Sequence, residues 1–220
     1  MKGKLIVIDG ADGAGKATQT KLLVEKLRAE GKQVETMDFP QYTQNNFGQL
    51  LRESLDGKRG NFLALDPKIA STIYAADRFE SAPQIRTWLA DGAVVVLDRY
   101  VSSNMLHQAS KLSGVDERKD FLNWLDTIEH EVFNIPRPDV IMYLDIPYEV
   151  RKHLMDGDGN RIELDQVERD EDYNRAAESQ ATELLAYLNN WQSIVCTKDA
   201  VLRAKEEIHE EVYKIVSKII

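Results

Sequence analysis

A single cysteine, Cys196, stands among 220 residues, so no internal disulfide can form and nothing calls for an oxidising compartment. Histidine is scarce as well: His107, His130, His153 and His209 are scattered without the spacing of a metal-ligand set. Long apolar runs are missing, and the first, residues 5–8, stops at Asp9, too short for a signal peptide or a membrane span. Nor is there a basic excess. A formal net charge of −9 and the lack of a basic stripe argue against nucleic acid or an anionic membrane as a partner. These absences predict a cytoplasmic protein that binds neither nucleic acid nor membrane. No internal repeat or linker divides the chain, and its length predicts one domain over residues 1–220.

What is present is enough for a core: 43% of residues are hydrophobic, and 30% are charged and keep the surface wet. Short β-branched runs (residues 5–8, 34–37, 93–97, 140–144 and 194–196) alternate with long amphipathic stretches. That order predicts an α/β fold of three layers, a five-stranded parallel sheet flanked by helices. Continuous apolarity, as in residues 94–97, marks a strand buried on both faces. Helices are expected over residues 16–30, stopped by Gly31; from the Asp66-Pro67 cap toward Phe79; from Pro147; and over residues 165–190 and 200–219. Between two of them the MDGDGN stretch, residues 155–160, reads as a loop. Two readings fit it, a lid over a phosphate site or a plain solvated connection.

The strongest motif is Gly10-Ala11-Asp12-Gly13-Ala14-Gly15-Lys16, which follows one predicted strand and opens one predicted helix. This is the GxxxxGK spacing of a P-loop. Its glycines let backbone N–H groups turn inward, the helix N-terminus adds positive potential, and Lys16 supplies a point charge for phosphate oxygens. After the lysine such loops carry Ser or Thr to hold Mg²⁺; here Ala17 stands there, followed by Thr18. Successive helical residues point about 100° apart, so Thr18 is not expected simply to replace the missing hydroxyl. The metal is then expected on phosphate oxygens, water and carboxylates; the competing reading is a degraded, inactive loop. Asp98-Arg99-Tyr100 closes another predicted strand and should face the same crevice, a carboxylate for the metal shell and an arginine for a phosphate.

With these motifs in order, the chain resembles the thymidylate kinase family along nearly its whole length. The family's DR(Y/F/H)xxS signature stands as Asp98-Arg99-Tyr100-Val101-Ser102-Ser103, continuing Asn104-Met105-Leu106-His107-Gln108. The GxDGxGK form of the P-loop, the Phe39-Pro40 pair, the Tyr74-x-x-x-Arg78 spacing and the Pro138–Asp145 run that resembles PDLxLYLD also match in order.

The resemblance implies a P-loop NTPase fold and Mg²⁺-dependent transfer of the ATP γ-phosphoryl to dTMP. The alternatives are another (deoxy)nucleoside monophosphate as acceptor, or an impaired ATP-binding protein with Ala17 as the cause. It implies ATP binding by Gly10, Ala11, Asp12, Gly13, Ala14, Gly15, Lys16, Ala17 and Thr18, with Asp98 and Asp12 near the metal. Tyr74 would stack on the thymine and Arg78 donate to it. Asn104 would read the base edge, His107 stand near the deoxyribose, and Gln108 support that wall. Phe39, Tyr42 and Ser103 would complete the acceptor pocket, and Arg99 and Asp12 would serve the acceptor phosphate and ribose. Gln41 stands where some members place an arginine, which removes one phosphate clamp. Because position 13 is glycine, the transition-state arginine is expected in a lid over residues 151–169, as Arg161, four residues before Asp165. Gln166 and Val167 replace the family's arginine and aromatic in the DxxE stretch, which thins that lid's contacts. The resemblance also implies that Arg151 and residues 197–200 would lie near the adenine, and it implies a homodimer packed through helices.

Overall fold

The computed structural model describes residues 2–156 and 170–220, with backbone alone for 153–156. Five parallel strands, β1 (Lys4–Gly10), β2 (Val34–Asp38), β3 (Val94–Asp98), β4 (Val140–Asp145) and β5 (Trp191–Val195), form one sheet in the order β2-β3-β1-β4-β5. β1 is central, with Ile6 beside Val96 of β3 and Val140 of β4. The helices are α1 (Lys16–Ala29), α2 (Asn46–Leu55), α3 (Pro67–Ala90), α4 (Val101–His107), α5 (Val115–Asp126), α6 (Tyr148–Asp156), α7 (Glu171–Tyr187) and α8 (Lys205–Val216). A small antiparallel pair, β6 (Thr197–Lys198) and β7 (Val201–Leu202), precedes α8.

The strand pleat sends alternate residues to opposite faces, and both faces are covered. Ile6, Ile8, Val94, Val96, Val140 and Met142 pack against Leu23, Val24 and Leu27 of α1 and Ile208, Val212 and Val216 of α8. Leu5, Val7, Val95, Leu97, Ile141 and Tyr143 pack against Ala82 and Ile85 of α3, Leu106 of α4 and Leu184 of α7. Each fully buried aliphatic side chain contributes about 2 kcal/mol, so burial on both faces fixes the hydrogen-bonded sheet between its helix layers.

Local signals explain the helix ends. Asp66 accepts from the Lys68 N–H at 2.8 Å to cap α3, with Pro67 in the first turn. Gly31, at φ 79°, ends α1, and the Lys32 N–H reaches back to the Leu27 carbonyl at 3.1 Å. Several boundaries differ from expectation. α3 continues past Phe79 through Pro83 to Ala90, because packing against the sheet outweighs the hydrogen bond that proline removes. β5 begins at Trp191 rather than at 194; its exposed Gln192 and Ser193 hid an edge strand that buries only Trp191 and Ile194. Residues 200–204 belong to the β6–β7 ribbon and its exit, so the last helix starts at Lys205. α2, α4 and α5 carried no signal that singled them out. Residues 155 and 156 close α6 instead of opening a loop. The remainder of the predicted lid, with Arg161, lies outside the described residues.

Candidate active site

The phosphate end is built where β1 hands over to α1. Gly13 and Gly15 sit at φ 79° and 85°, left-handed values that an L side chain strains to adopt, and they curl the loop under the α1 N-terminus. Lys16 folds back so that its Nζ donates to the Ala11 carbonyl at 2.9 Å and stands 3.7 Å from Asp12 Oδ1. Burial, then the charge of Arg99, push the Lys16 ammonium below the usual lysine range; the carboxylates of Asp12, Asp98 and Asp9 oppose that shift. Asp12, Gly13, Gly15, Lys16, Ala17 and Thr18 line a cleft of about 290 Å³, whose far wall is Asp38, Phe39, Asp98 and Arg99. Gly10, Ala11 and Ala14 lie beneath the loop instead; Ala11 and Ala14 are buried, and the Gly10 N–H donates to Asp9 Oδ1 at 2.8 Å. Thr18 shares the cleft wall with Ala17, so a hydroxyl is present one residue late.

Arg99 and Asp98 arrive from the end of β3, one strand over from the P-loop, as the switch-point rule requires. Arg99 holds φ 63°, its N–H donates to the Ile8 carbonyl at 3.0 Å, and its guanidinium pairs with Asp12. Burial works against that guanidinium's charge, but Asp12, Asp9 and Asp98 outweigh it and raise its pKa. Burial raises the Asp98 carboxyl above the usual range, with Lys16 and Arg99 pulling the other way. Asp38 escaped the sequence reading. It ends β2 directly beside Asp98, and its place before Phe39-Pro40 at a strand's carboxyl end was the available signal.

The residues expected to hold the nucleoside are spread over separate packing clusters, and Phe39 also lines the cleft. Tyr74 is half-buried on α3 with Phe62 edge-on to its ring at 5.7 Å. Tyr42 packs into the same cluster, under the Arg52 guanidinium at 5.6 Å. Phe39 is buried, tilted against Tyr100 at 5.7 Å. Arg78 gives two of its five N–H groups to Glu129. It is 2% exposed and paired with the wholly buried Glu129, and the ion pair raises its pKa against the opposing effect of burial. Asn104 Nδ2 donates to the same Glu129 at 3.0 Å and to the Ser71 carbonyl at 3.2 Å. Ser103 turns its hydroxyl to Asp9 at 2.9 Å, beside Ser102, which donates to the same carboxylate. Gln108 is buried, and its Oε1 has no partner among the described residues. His107 stacks on Tyr173 of α7 at 5.7 Å, and burial, then the Arg99 charge, lower its pKa to about 4. Glu129, Asp9 and Tyr173 were missed because no motif marks them. Arg151 is 1% exposed, and its Nη1 donates to the Asp12 carbonyl at 3.2 Å, so it braces the P-loop from α6.

For a metal, Asp12, Asp38 and Asp98 bring carboxylates to the cleft and Thr18 a hydroxyl. Among the described residues no three His, Cys, Asp or Glu side chains converge as a metal site made by protein alone. That donor set fits Mg²⁺, which keeps its waters and takes one or two carboxylates together with substrate phosphates.

The chain matches the family model described as thymidylate kinase over residues 8–212. It is 34% identical to the thymidylate kinase of Mycobacterium tuberculosis over 176 residues, covering 80% of each chain. It is 29% identical to the thymidylate kinase of Danio rerio over 220 residues, covering 100% of this chain and 92% of that one. Among solved structures, the thymidylate kinase of Candida albicans superposes with a TM-score of 0.74 at 22% identity, over 99% of this chain and 92% of that one.

Proposed function

The chain belongs to the thymidylate kinase family, and from that premise we propose that it transfers the γ-phosphoryl of ATP to dTMP, giving ADP and dTDP. The observation that carries the reading is the cleft itself, where Lys16 and the P-loop glycines face Arg99 across Asp12. A donor tail fits the P-loop side, and an acceptor phosphate fits the Arg99 side.

An oxygen of the dTMP phosphate forms the new bond to the γ-phosphorus as the bond to the β–γ bridging oxygen breaks, and ADP leaves with that electron pair. The acceptor phosphate is already anionic near neutral pH, so no side chain has to take a proton from it. Catalysis then rests on positioning and on charge. Lys16 and the loop N–H groups hold the donor oxygens, and Arg99 orients the acceptor. Phe39 closes one wall of the cleft against water, and Tyr42 as a hydroxyl donor and Tyr74 as the cover of the base come from a neighbouring cluster. Arg161 is proposed as the lid arginine that meets the transferring group. Asp98 and Asp12 would help hold Mg²⁺ together with the substrate phosphates, and the ion would supply neutralisation of the charge that develops on transfer.

The homodimer expectation finds support in Phe47 of α2 and Phe79 of α3, large apolar side chains left exposed on adjacent helices. For a cytoplasmic location the support is that, among the described residues, no helix is long and apolar enough to cross a membrane.

The test is ADP release from ATP with dTMP, dUMP, dCMP, dGMP and AMP, each with and without Mg²⁺. dTMP turnover that vanishes when Mg²⁺ is chelated is expected. One observation favours a second reading, the missing hydroxyl at Ala17. ATP binding without turnover of any acceptor establishes an impaired ATP-binding protein in place of a kinase.

A further inference from the structure

Glu129 lies in a segment that winds as a π-helix, Thr127–Val132, and is 0% exposed. One carboxylate there gathers two side chains from elsewhere in the chain. Arg78 Nε donates to Oε2 at 2.9 Å, and Arg78 Nη2 donates to Oε1. Asn104 Nδ2 donates to that same Oε1 at 3.0 Å, while its other proton goes to the Ser71 carbonyl at 3.2 Å. A carboxylate and a carbonyl can only accept, so the nitrogen of Asn104 must face them and the amide cannot turn over. Its Oδ1 is left on the opposite side, with no donor from the described residues. Arg78 has five N–H groups. Two go to Glu129 and one to the Tyr100 carbonyl at 3.3 Å, which leaves one on each terminal nitrogen. Asn104 Nδ2 and Arg78 Nη2 therefore donate to one carboxylate oxygen, and each side chain has its orientation fixed there.

We propose that Glu129 is the positioning residue that sets base specificity. By taking one Asn104 proton while the Ser71 carbonyl takes the other, it makes the pocket offer one acceptor and one donor in a fixed order. That order complements a pyrimidine with N–H at position 3 and a carbonyl at position 4. It opposes cytosine, whose N3 accepts and whose 4-amino group donates. This rests on the reading that Tyr74, Arg78 and Asn104 hold the acceptor base. Sites that hydrogen-bond a polar group reject an analogue that mispairs by about 10⁴-fold or more, whereas one methyl group is worth about 10- to 200-fold. The fixed amide thus separates thymine from cytosine, and it is blind to thymine against uracil, which share the 3,4 edge.

The experiment is kcat/KM for dTMP, dUMP and dCMP in wild type, Glu129→Gln and Asn104→Ala, measured on each preparation so that the folded fraction cancels in the ratios. Glutamine offers Asn104 a donor as well as an acceptor, which leaves the Ser71 carbonyl alone to hold the amide in place. The dTMP:dCMP ratio is then expected to fall by about 10²-fold, chiefly through a higher KM for dTMP, while the dTMP:dUMP ratio stays put. If the dTMP:dCMP ratio survives in Glu129→Gln, the proposal is overturned. It is equally overturned if both ratios collapse together, since Glu129 then only holds the pocket's shape. Should Glu129→Gln yield no folded protein, Asn104→Ala decides, because it keeps the Arg78–Glu129 pair: a fall in dTMP:dCMP alone supports the fixed acceptor, and an unchanged ratio removes it. Wild type inert toward every pyrimidine monophosphate sinks the kinase reading instead, a separate outcome.

Discussion

Arg99 reaches back over the cleft to pair with Asp12, so the guanidinium proposed for the acceptor is joined to the P-loop carboxylate. Each belongs to a rigid frame. Asp12 sits on the loop that Lys16 and Arg151 brace, and Arg99 follows β3 with its N–H tied to β1 at Ile8.

Replacing Arg99 with alanine removes a charge-assisted contact worth about 2 kcal/mol, which corresponds to a KM for dTMP about 30-fold higher. Initial rates against dTMP at saturating ATP measure it. A KM unchanged within twofold takes Arg99 out of the acceptor site.

Ala17→Ser places a hydroxyl on the cleft wall where P-loops commonly hold the metal. The Mg²⁺ concentration for half-maximal activity is expected to drop about 3- to 10-fold, with little change in KM for dTMP. A metal titration with no shift means that Thr18 and the carboxylates already satisfy the ion.

His107 couples stability to acid. Its folded-state pKa is lowered from the ordinary 6.5 to about 4, so between those values the unfolded chain binds a proton that the folded chain does not. The contribution is whole above about pH 6.5. It is lost as pH falls toward 4. Urea midpoints at pH 7.5 and 5.0 are expected to show His107→Gln losing about 2 kcal/mol less than wild type over that range. Equal losses place the acid sensitivity elsewhere.

Gly48 in α2 lies against the loop after β2, and a Cβ there would stand 2.0 Å from the Gln41 carbonyl oxygen. Alanine gains about 1 kcal/mol of helix propensity, but backbone must move to admit it, at a cost of about 3 kcal/mol. The net loss predicts a melting temperature about 4–8 °C lower by calorimetry. A Gly48→Ala variant that melts higher than wild type shows that the loop yields freely.

Much of the site was legible because its information is local. The P-loop needs only glycines and a lysine at fixed spacing between a strand and a helix, and Asp98-Arg99 needs only to follow an apolar run. Tyr74 and Arg78 fall on one helical face by periodicity. Glu129 was illegible, since it meets Arg78 across 51 residues through a π-helical stretch that no spacing announces. β5 was blurred for a related reason: as an edge strand with one covered face it lacks the continuous apolarity of β1 and β3.

The sequence by itself determined the α/β order, the parallel sheet and the phosphate cradle, because hydrophobic period and glycine placement act over a few residues. Only the tertiary structure decided what the charged side chains do. Arg78 turned inward to Glu129, Arg99 to Asp12 and Ser103 to Asp9, for a charge or hydroxyl taken from water must find a partner, and which one lies near is settled by the fold.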